Sequence, residues 1–326
     1  MIFSKTPLRV SLFGGGTDDP NYFQKYNARG AVTGFTINQF VWIFGSEIKV
    51  DQGFRFRLGY RYNEDVSDAA EIKHPIFREV LRDQPHLSRF HFSTMSALPS
   101  GAGLGSSSSF TVGLIALINY LNAQTVSQAS LANEAIRYER EVLGESGGWQ
   151  DQLHAAFGGI NTFAFKNSAW TRTPLVRSED NLRKLSDSLY IVYTGKLRSA
   201  NIIEKSKKES INNHTLLSET YHLALEGEKA LRQTSISLKQ IGRLMIEGWN
   251  LKSRLSSEVT STEIDAVYMK IMSEGAFGAK LSGAGGGGFF LVLAETAVAE
   301  RIGDKLGREK IMKVSVHNSG VEIGDL

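Results

Sequence analysis

Pro99-Ser100-Gly101-Ala102-Gly103-Leu104-Gly105-Ser106-Ser107-Ser108-Ser109 is the stretch on which the reading of this chain turns. It lies between a strand-like segment, Phe90 to Ser96, and the nearly all-apolar run Phe110 to Leu121, which reads as a buried helix. Spaced glycines let backbone N–H groups converge on one point, and a helix start adds unpaired N–H groups and a partial positive charge. Together these suit a phosphate chain, and serine hydroxyls add oxygen ligands for Mg²⁺. No Lys precedes the serines, so the loop is not a Walker A loop. The alternative is a glycine turn followed by a serine N-cap; one cap needs one serine, whereas four stand in a row.

Outward from this loop, the 32 glycines are clustered at Gly14-Gly15-Gly16, Gly101 to Gly105, Gly147-Gly148 with Gly158-Gly159, and Gly283 to Gly288. Clustering marks places where backbone must approach something closely. Leu8 to Phe13, Ala31 to Ile48, Arg55 to Tyr62, Gly159 to Phe165 and Ser188 to Tyr193 read as strands. His74 to Leu81 and Ala129 to Leu143 read as helices, and from Ser199 to Met272 the pattern is helical throughout. The chain closes on a strand at Phe289 to Leu293, a helix at Ala297 to Leu306 and a strand at Lys313 to His317. The order predicts an α+β protein of two lobes, residues 1–165 and 166–326.

Composition bounds the rest. With 326 residues, 41% hydrophobic and 22% charged, the chain has the balance of a globular protein. A formal charge of +3 without a dense basic block argues against a nucleic-acid partner. The absence of cysteine excludes disulfides and thiolate metal sites, and the seven histidines show no HExxH or paired zinc spacing. No apolar run is long enough to span a bilayer, and Met1 to Pro7 lacks a signal core, so the expectation is a cytoplasmic enzyme with no membrane partner.

Pro99 to Ser109 resembles the central motif of the GHMP kinases, P-x-x-x-G-L-G-S-S. Two further motifs occur in the family's order: Pro7-Leu8-Arg9-Val10-Ser11-Leu12-Phe13-Gly14-Gly15-Gly16-Thr17-Asp18 and Lys280-Leu281-Ser282-Gly283-Ala284-Gly285-Gly286-Gly287-Gly288. The details are most similar to D-glycero-D-manno-heptose 7-phosphate kinases: Gly14 to Asp18, the four-serine loop, Gln150-Asp151-Gln152, and Tyr193-Thr194-Gly195 with Arg198. Gly15 and Gly16 stand where galactokinase-like members carry Glu-His, which departs from galactose-type recognition. The resemblance implies a two-lobe GHMP kinase fold, with a left-handed β-α-β crossover in the N-terminal lobe and a ferredoxin-like α/β sandwich as the C-terminal lobe. It implies ATP as co-substrate with Mg²⁺, and phosphoryl transfer to the anomeric hydroxyl of a heptose 7-phosphate, giving the 1,7-bisphosphate and ADP. The rivals are a kinase of a free sugar (fucose, galactose or mannose type) and a non-catalytic nucleotide- or sugar-binding protein of this fold.

The same resemblance places Pro99, Gly101, Gly103, Leu104, Gly105, Ser106, Ser107 and Ser108 on the nucleotide, together with Gly283, Ala284, Gly285 and Gly286. The nominal G-x-G-x-x-G within that closing run is not a dinucleotide fingerprint, because a strand follows it rather than a helix. Asp151 becomes the catalytic base and Arg9 its basic neighbour; the alternative for Asp151 is a helix N-terminal carboxylate beside a glycine turn. Glu139 is informative without any family, since it shares a helix face with Ala132, Ala135, Ile136 and Leu143. An inward carboxylate needs a partner. The resemblance makes that partner Mg²⁺ with Ser107 as co-ligand; the alternative is a buried Glu–Arg pair. Gly16, Thr17, Asp18, Gly148, Gln150 and Arg198 are the acceptor-binding candidates, with a plain turn before Pro20 as the alternative for Thr17 and Asp18. Lys196, His74 and Arg78 are weaker candidates for an acceptor phosphate against ordinary surface charge, and Lys205, Lys207 and Lys208 read as a charged helix face.

Overall fold

The computed structural model describes residues 1–24, 26–85, 87, 89–175, 178–197 and 213–326. Among these, two sheets divide the strands. The larger runs β12 (Glu322–Asp325), β1 (Ile2–Phe13), β2 (Gly30–Glu47), β5 (Phe90–Ser96), β3 (Phe56–Gly59) and β4 (Asn63–Val66). The first half of β2 also pairs with β6 (Ile160–Lys166), which pairs with β7 (Ala169–Pro174). The smaller sheet is antiparallel, in the order β11 (Ile311–Lys313), β8 (Leu189–Tyr193), β10 (Phe289–Leu293) and β9 (Gly278–Leu281). Residue 165 falls inside β6, and both β7 and the terminal β12 belong to the larger sheet.

β1 carries the first site residues because its inner side is apolar and its register against β2 is interrupted. Leu8, Val10, Leu12 and Phe13 are buried, and the register shifts between Pro7 and Leu8 and again between Ser11 and Phe13. Bulges of this kind re-aim side chains and are frequent beside active sites. Arg9 lies just past the first shift, and its backbone N–H donates to the Leu104 carbonyl 3.0 Å away rather than staying in the ladder. β3 and β5 form the one parallel pairing among the described strands, with the short helices α1 (Pro20–Phe23) before and α2 (Pro75–Arg82) between them in the chain. α3 (Ser106–Leu121) begins directly at the serine run and is buried along nearly its whole length, as its apolar composition requires.

The helix expected over 129–143 is two structures. α4 (Gln128–Ile136) is α-helical, and residues Arg137–Val142 continue as a π-helical turn closed by the Leu143 N–H on the Tyr138 carbonyl at 3.0 Å. One wide turn changes which way the following side chains point, a distortion frequent at functional sites. α5 (Gln150–Phe157) and α6 (Glu179–Asp187) follow, and the later helical stretch resolves into α7 (Asn213–Leu231), α8 (Leu238–Ser253) and α9 (Thr262–Ser273). α10 (Thr296–Leu306) precedes β11, which ends at Lys313, where the expected closing strand was to begin; Val316 adds an isolated bridge to Ile37 and the chain then returns to β1 as β12. No helix among the described residues is long and apolar enough to cross a membrane.

Candidate active site

The two glycine-rich loops meet backbone to backbone. Gly103 and Gly105 have positive φ, 79° and 74°, a region costly for any side chain with a Cβ. A Cβ on Gly103 would stand 2.7 Å from the Ser282 carbonyl oxygen, so only glycine permits the approach of the central loop to the closing loop. Two buried lysines frame this contact. Lys252, on α8, donates to the carbonyls of Leu281 and Gly283 at 2.7 and 2.6 Å. Lys280, on β9, donates to Leu12 at 2.9 Å and so ties the smaller sheet to β1.

Gly105 caps α3 and abuts the ion pair at the centre of the cleft: a Cβ there would lie 3.0 Å from Arg9 and 3.4 Å from Asp151. The Arg9 guanidinium donates Nε to Asp151 Oδ1 and Nη2 to Oδ2, both at 2.7 Å, and Nη1 to the Gly103 carbonyl at 2.7 Å. This two-pronged geometry is the strong form of the arginine–carboxylate contact. Arg9 is 4% exposed, whereas Asp151 retains 23%, so the carboxylate is the half of the pair that faces the cleft.

Asp151 stands in the first turn of α5, whose N-terminus is capped from elsewhere. Asp18 accepts from the Gln150 backbone N–H at 3.1 Å, from the Gln150 amide at 3.2 Å and from the Gly16 N–H at 2.9 Å. Burial, with the nearby Asp151 charge adding to it, pushes the Asp18 carboxyl up to about 6 against these donors. Gly148 has to be glycine, because a Cβ would sit 1.8 Å from Asp18 Oδ2. Trp149 anchors the same segment, packing edge-on to Phe23 at 5.1 Å.

Glu139 stands on the π-helical turn, lines the same cleft and is 1% exposed. Its Oε2 accepts from the Ser108 hydroxyl at 2.9 Å and the Gln152 amide at 2.6 Å, with the Arg140 guanidinium 3.7 Å away. Its Oε1 is buried and accepts no hydrogen bond from the described residues. Burial pushes this carboxyl up to about 7, against the pull of Arg140 and of the Thr111 and Ser108 hydroxyls. Arg140 mainly holds the loop before α5, donating to Ser146 at 3.2 Å and Gly148 at 2.8 Å.

The described residues bring Arg9, Gly16, Asp18, Gly101, Gly103, Gly105, Ser106, Ser107, Ser108, Glu139, Gly148, Gln150, Asp151, Gly283, Ala284 and Gly285 to one cleft. Pro99, Leu104, Thr17 and Gly286 do not line it. Leu104 is core, and the Thr17 hydroxyl is spent inside the fold, donating to the Gly14 carbonyl at 2.8 Å and accepting from the Ala31 N–H at 3.0 Å. Of the serines, Ser108 rather than Ser107 bonds Glu139; Ser107 is exposed in the cleft. Arg198 and Lys205, Lys207 and Lys208 lie outside the described residues. Lys196 pairs with Glu263 on the surface, Arg78 pairs with Glu79, and His74 caps α2 by accepting from the Phe77 N–H. Sequence reasoning passed over Arg140 and Lys252, whose charged types look solvated on a helix, and used Gln152 only as a motif letter; the signal for Gln152 was its place beside Asp151.

A family model described as "GHMP kinases N terminal domain" matches residues 71–159, and one described as "GHMP kinases C terminal" matches residues 228–311. The chain is 30% identical to a D-glycero-alpha-D-manno-heptose 7-phosphate kinase of Campylobacter jejuni, over 90% of this chain and 89% of that one. The chain belongs to the GHMP kinases. A galactokinase of Pyrococcus furiosus is also 30% identical, over 67% of this chain and 68% of that one. The fold matches a crystal structure of a D-glycero-D-manno-heptose 1-phosphate kinase from Bacteroides thetaiotaomicron with a TM-score of 0.80 at 22% identity, covering 100% of this chain and 99% of that one. This GHMP kinase is therefore a phosphotransferase with an alcohol group as acceptor and ATP as co-substrate, of the sugar-kinase kind, and its two sheets are the two lobes of the family's α+β fold.

Proposed function

We propose that this kinase transfers the γ-phosphoryl group of ATP to the anomeric hydroxyl of D-glycero-D-manno-heptose 7-phosphate. The observation that carries the chemistry is the Arg9–Asp151 pair set against Gly105 at the mouth of the phosphate loop. The acceptor is supported by the relative that matches nine-tenths of the chain and is named for that sugar phosphate.

In this reading the acceptor oxygen attacks the γ-phosphorus as the bond to the β–γ bridging oxygen breaks, and ADP leaves with that electron pair. The acceptor proton passes to Asp151, whose oxygens each keep a lone pair beyond the one given to Arg9. Arg9 holds the carboxylate in place and adds positive charge beside the transferring group. Gly101, Gly103, Ser106 and Ser107 receive the phosphate chain at the α3 N-terminus, with Gly283, Ala284 and Gly285 facing them. Asp18, Gln150, Gly16 and Gly148 form the acceptor wall.

The residues present fit a magnesium ion. Glu139 offers a buried oxygen without a donor, and the exposed Ser107 hydroxyl lines the same cleft. These two would hold it, and when bound it would neutralise phosphate charge. A second reading, a kinase of a free sugar, draws on the 30% identity to a galactokinase.

The test is a coupled ADP-release assay with ATP and Mg²⁺ over heptose 7-phosphate, mannose, fucose, galactose and mevalonate. Turnover confined to the heptose phosphate is expected. Turnover on a free sugar alone would discard the heptose assignment, and none on any of the five would leave either a different acceptor or a binding protein.

A further inference from the structure

We propose that Gln152 is the positioning residue of the cation site: with Ser108 it claims one oxygen of Glu139, leaves the other as the ligand atom, and ties that ligand to the helix of the catalytic base. The inference rests on the kinase reading above and adds a residue and an atom to it.

The argument begins with the helix. Consecutive residues on an α-helix point about 100° apart. At the start of α5 this sends Asp151 to the Arg9 fork and Gln152, which is fully buried, to Glu139. A carboxylate can only accept, so the amide must present its N–H₂ to Glu139 and turn its oxygen away. That oxygen is itself buried and receives no hydrogen bond from the described residues. An amide that leaves its own acceptor unpaired in order to donate at 2.6 Å is serving its partner's geometry more than its own satisfaction.

The second step concerns the two oxygens of Glu139. Both hydrogen bonds among the described residues fall on Oε2, from the Ser108 hydroxyl at 2.9 Å and the Gln152 amide at 2.6 Å, and the Arg140 guanidinium stands 3.7 Å from the same atom. The Thr111 hydroxyl is near enough to pull on the carboxyl, but its one proton goes to the Ser107 carbonyl at 3.1 Å. Oε1 is buried and accepts no hydrogen bond from the described residues, on a side chain that lines the cleft. A hard cation takes such an oxygen, and outer-sphere hydrogen bonds of this kind fix a ligand's orientation. Because the orienting amide adjoins Asp151 in sequence, any displacement of α5 moves the cation ligand and the base together.

The test uses the full chain, Mn²⁺ as the probe and a non-hydrolysable ATP analogue. Free Mn²⁺ is read by electron paramagnetic resonance, and analogue affinity is measured separately in EDTA. Gln152→Met keeps the volume and removes the donor; Gln152→Asn keeps an amide but withdraws it by one methylene. Both should weaken Mn²⁺ binding in the ternary complex about tenfold, as loss of an orienting partner typically does, with analogue affinity in EDTA unchanged. A merely structural role would lower both affinities in step, and that result overturns the proposal. Unchanged Mn²⁺ affinity in both variants overturns it too, while leaving the kinase reading intact. If the wild-type chain binds the analogue but no Mn²⁺ with it, the cation role of Glu139 falls and this proposal with it.

Discussion

Asp151 and Glu139 reach one cleft from neighbouring elements, α5 and the π-helical turn before it, yet their surroundings differ in kind. Asp151 has its countercharge built in: the Arg9 fork meets both its oxygens at 2.7 Å, and the carboxylate keeps contact with solvent. Glu139 has hydrogen-bond donors but, among the described residues, no cation closer than Arg140 at 3.7 Å, and it is buried. A fixed ion pair holds a carboxylate aimed before any ligand arrives. A buried carboxylate with a bare oxygen is incomplete until a cation comes, so its cost is met by the ligand rather than by the fold.

The largest expected effect is on the fixed side of this comparison. Asp151→Asn keeps the shape and removes the proton acceptor, so turnover should fall by on the order of 10²–10⁴. In the proposed arrangement Asp151 faces the acceptor rather than the phosphate chain, so nucleotide affinity should stay within a few-fold. Single-turnover ADP release and equilibrium nucleotide binding measure the two effects. Normal turnover in this variant would remove Asp151 from the role of base and erase the contrast with Glu139.

Gly148→Ala probes the wall beside Asp151. The new methyl would overlap Asp18, which must swing off the α5 N-terminus and release Gln150. Displacing an acceptor-side group by about an ångström can cost on the order of 10² in kcat/KM. The loss should fall on the acceptor KM, with nucleotide affinity unchanged. A variant with wild-type acceptor KM would show that Asp18 is a helix cap and nothing more.

Glu139→Gln tests the incomplete side through stability. In the unfolded chain this carboxyl has its ordinary value of 4.5, and in the folded chain it stands at about 7. Between those values the folded state holds a proton that the unfolded state has released, so stability falls as pH rises through the window and the loss is complete above it. Glutamine does not titrate. The variant's stability relative to wild type should therefore improve from pH 4.5 to pH 8, by on the order of 3 kcal/mol in the absence of divalent cations. Urea melts at the two pH values give the difference directly. An equal difference at both would mean that Glu139 carries no unmet charge.

Much of this was legible in the sequence, for reasons that differ by residue. β10 was readable because Phe289 to Leu293 is a short apolar run bounded by turn signals. The burial of Glu139 was readable from helical spacing, although the helix itself changes to π geometry at Arg137, a local event that periodicity does not register. β12 was passed over because its Gly-containing end carries little strand propensity and gains its place by pairing with β1. Thr17 illustrates the opposite case: a motif hydroxyl next to Asp18 looks available for a sugar, yet it satisfies the Gly14 carbonyl of the glycine turn and the Ala31 N–H of β2. Which serine meets Glu139 was equally beyond reading, since Ser107 and Ser108 differ only by the rotation of α3.

That last ambiguity yields the smallest and sharpest prediction. Ser108 is buried and donates to Glu139 Oε2, whereas Ser107 is exposed in the cleft. Ser108→Ala should cost about 1 kcal/mol of stability, the usual net value of one buried hydrogen bond, because Gln152 still holds the same oxygen. Ser107→Ala should leave stability unchanged and instead raise the Mg²⁺ concentration needed for half-maximal turnover. Thermal melts and Mg²⁺ titrations on the two variants separate these effects. The reverse pattern, a stability loss at Ser107 and a magnesium defect confined to Ser108, would move the cation one residue along α3 and away from Glu139 Oε1.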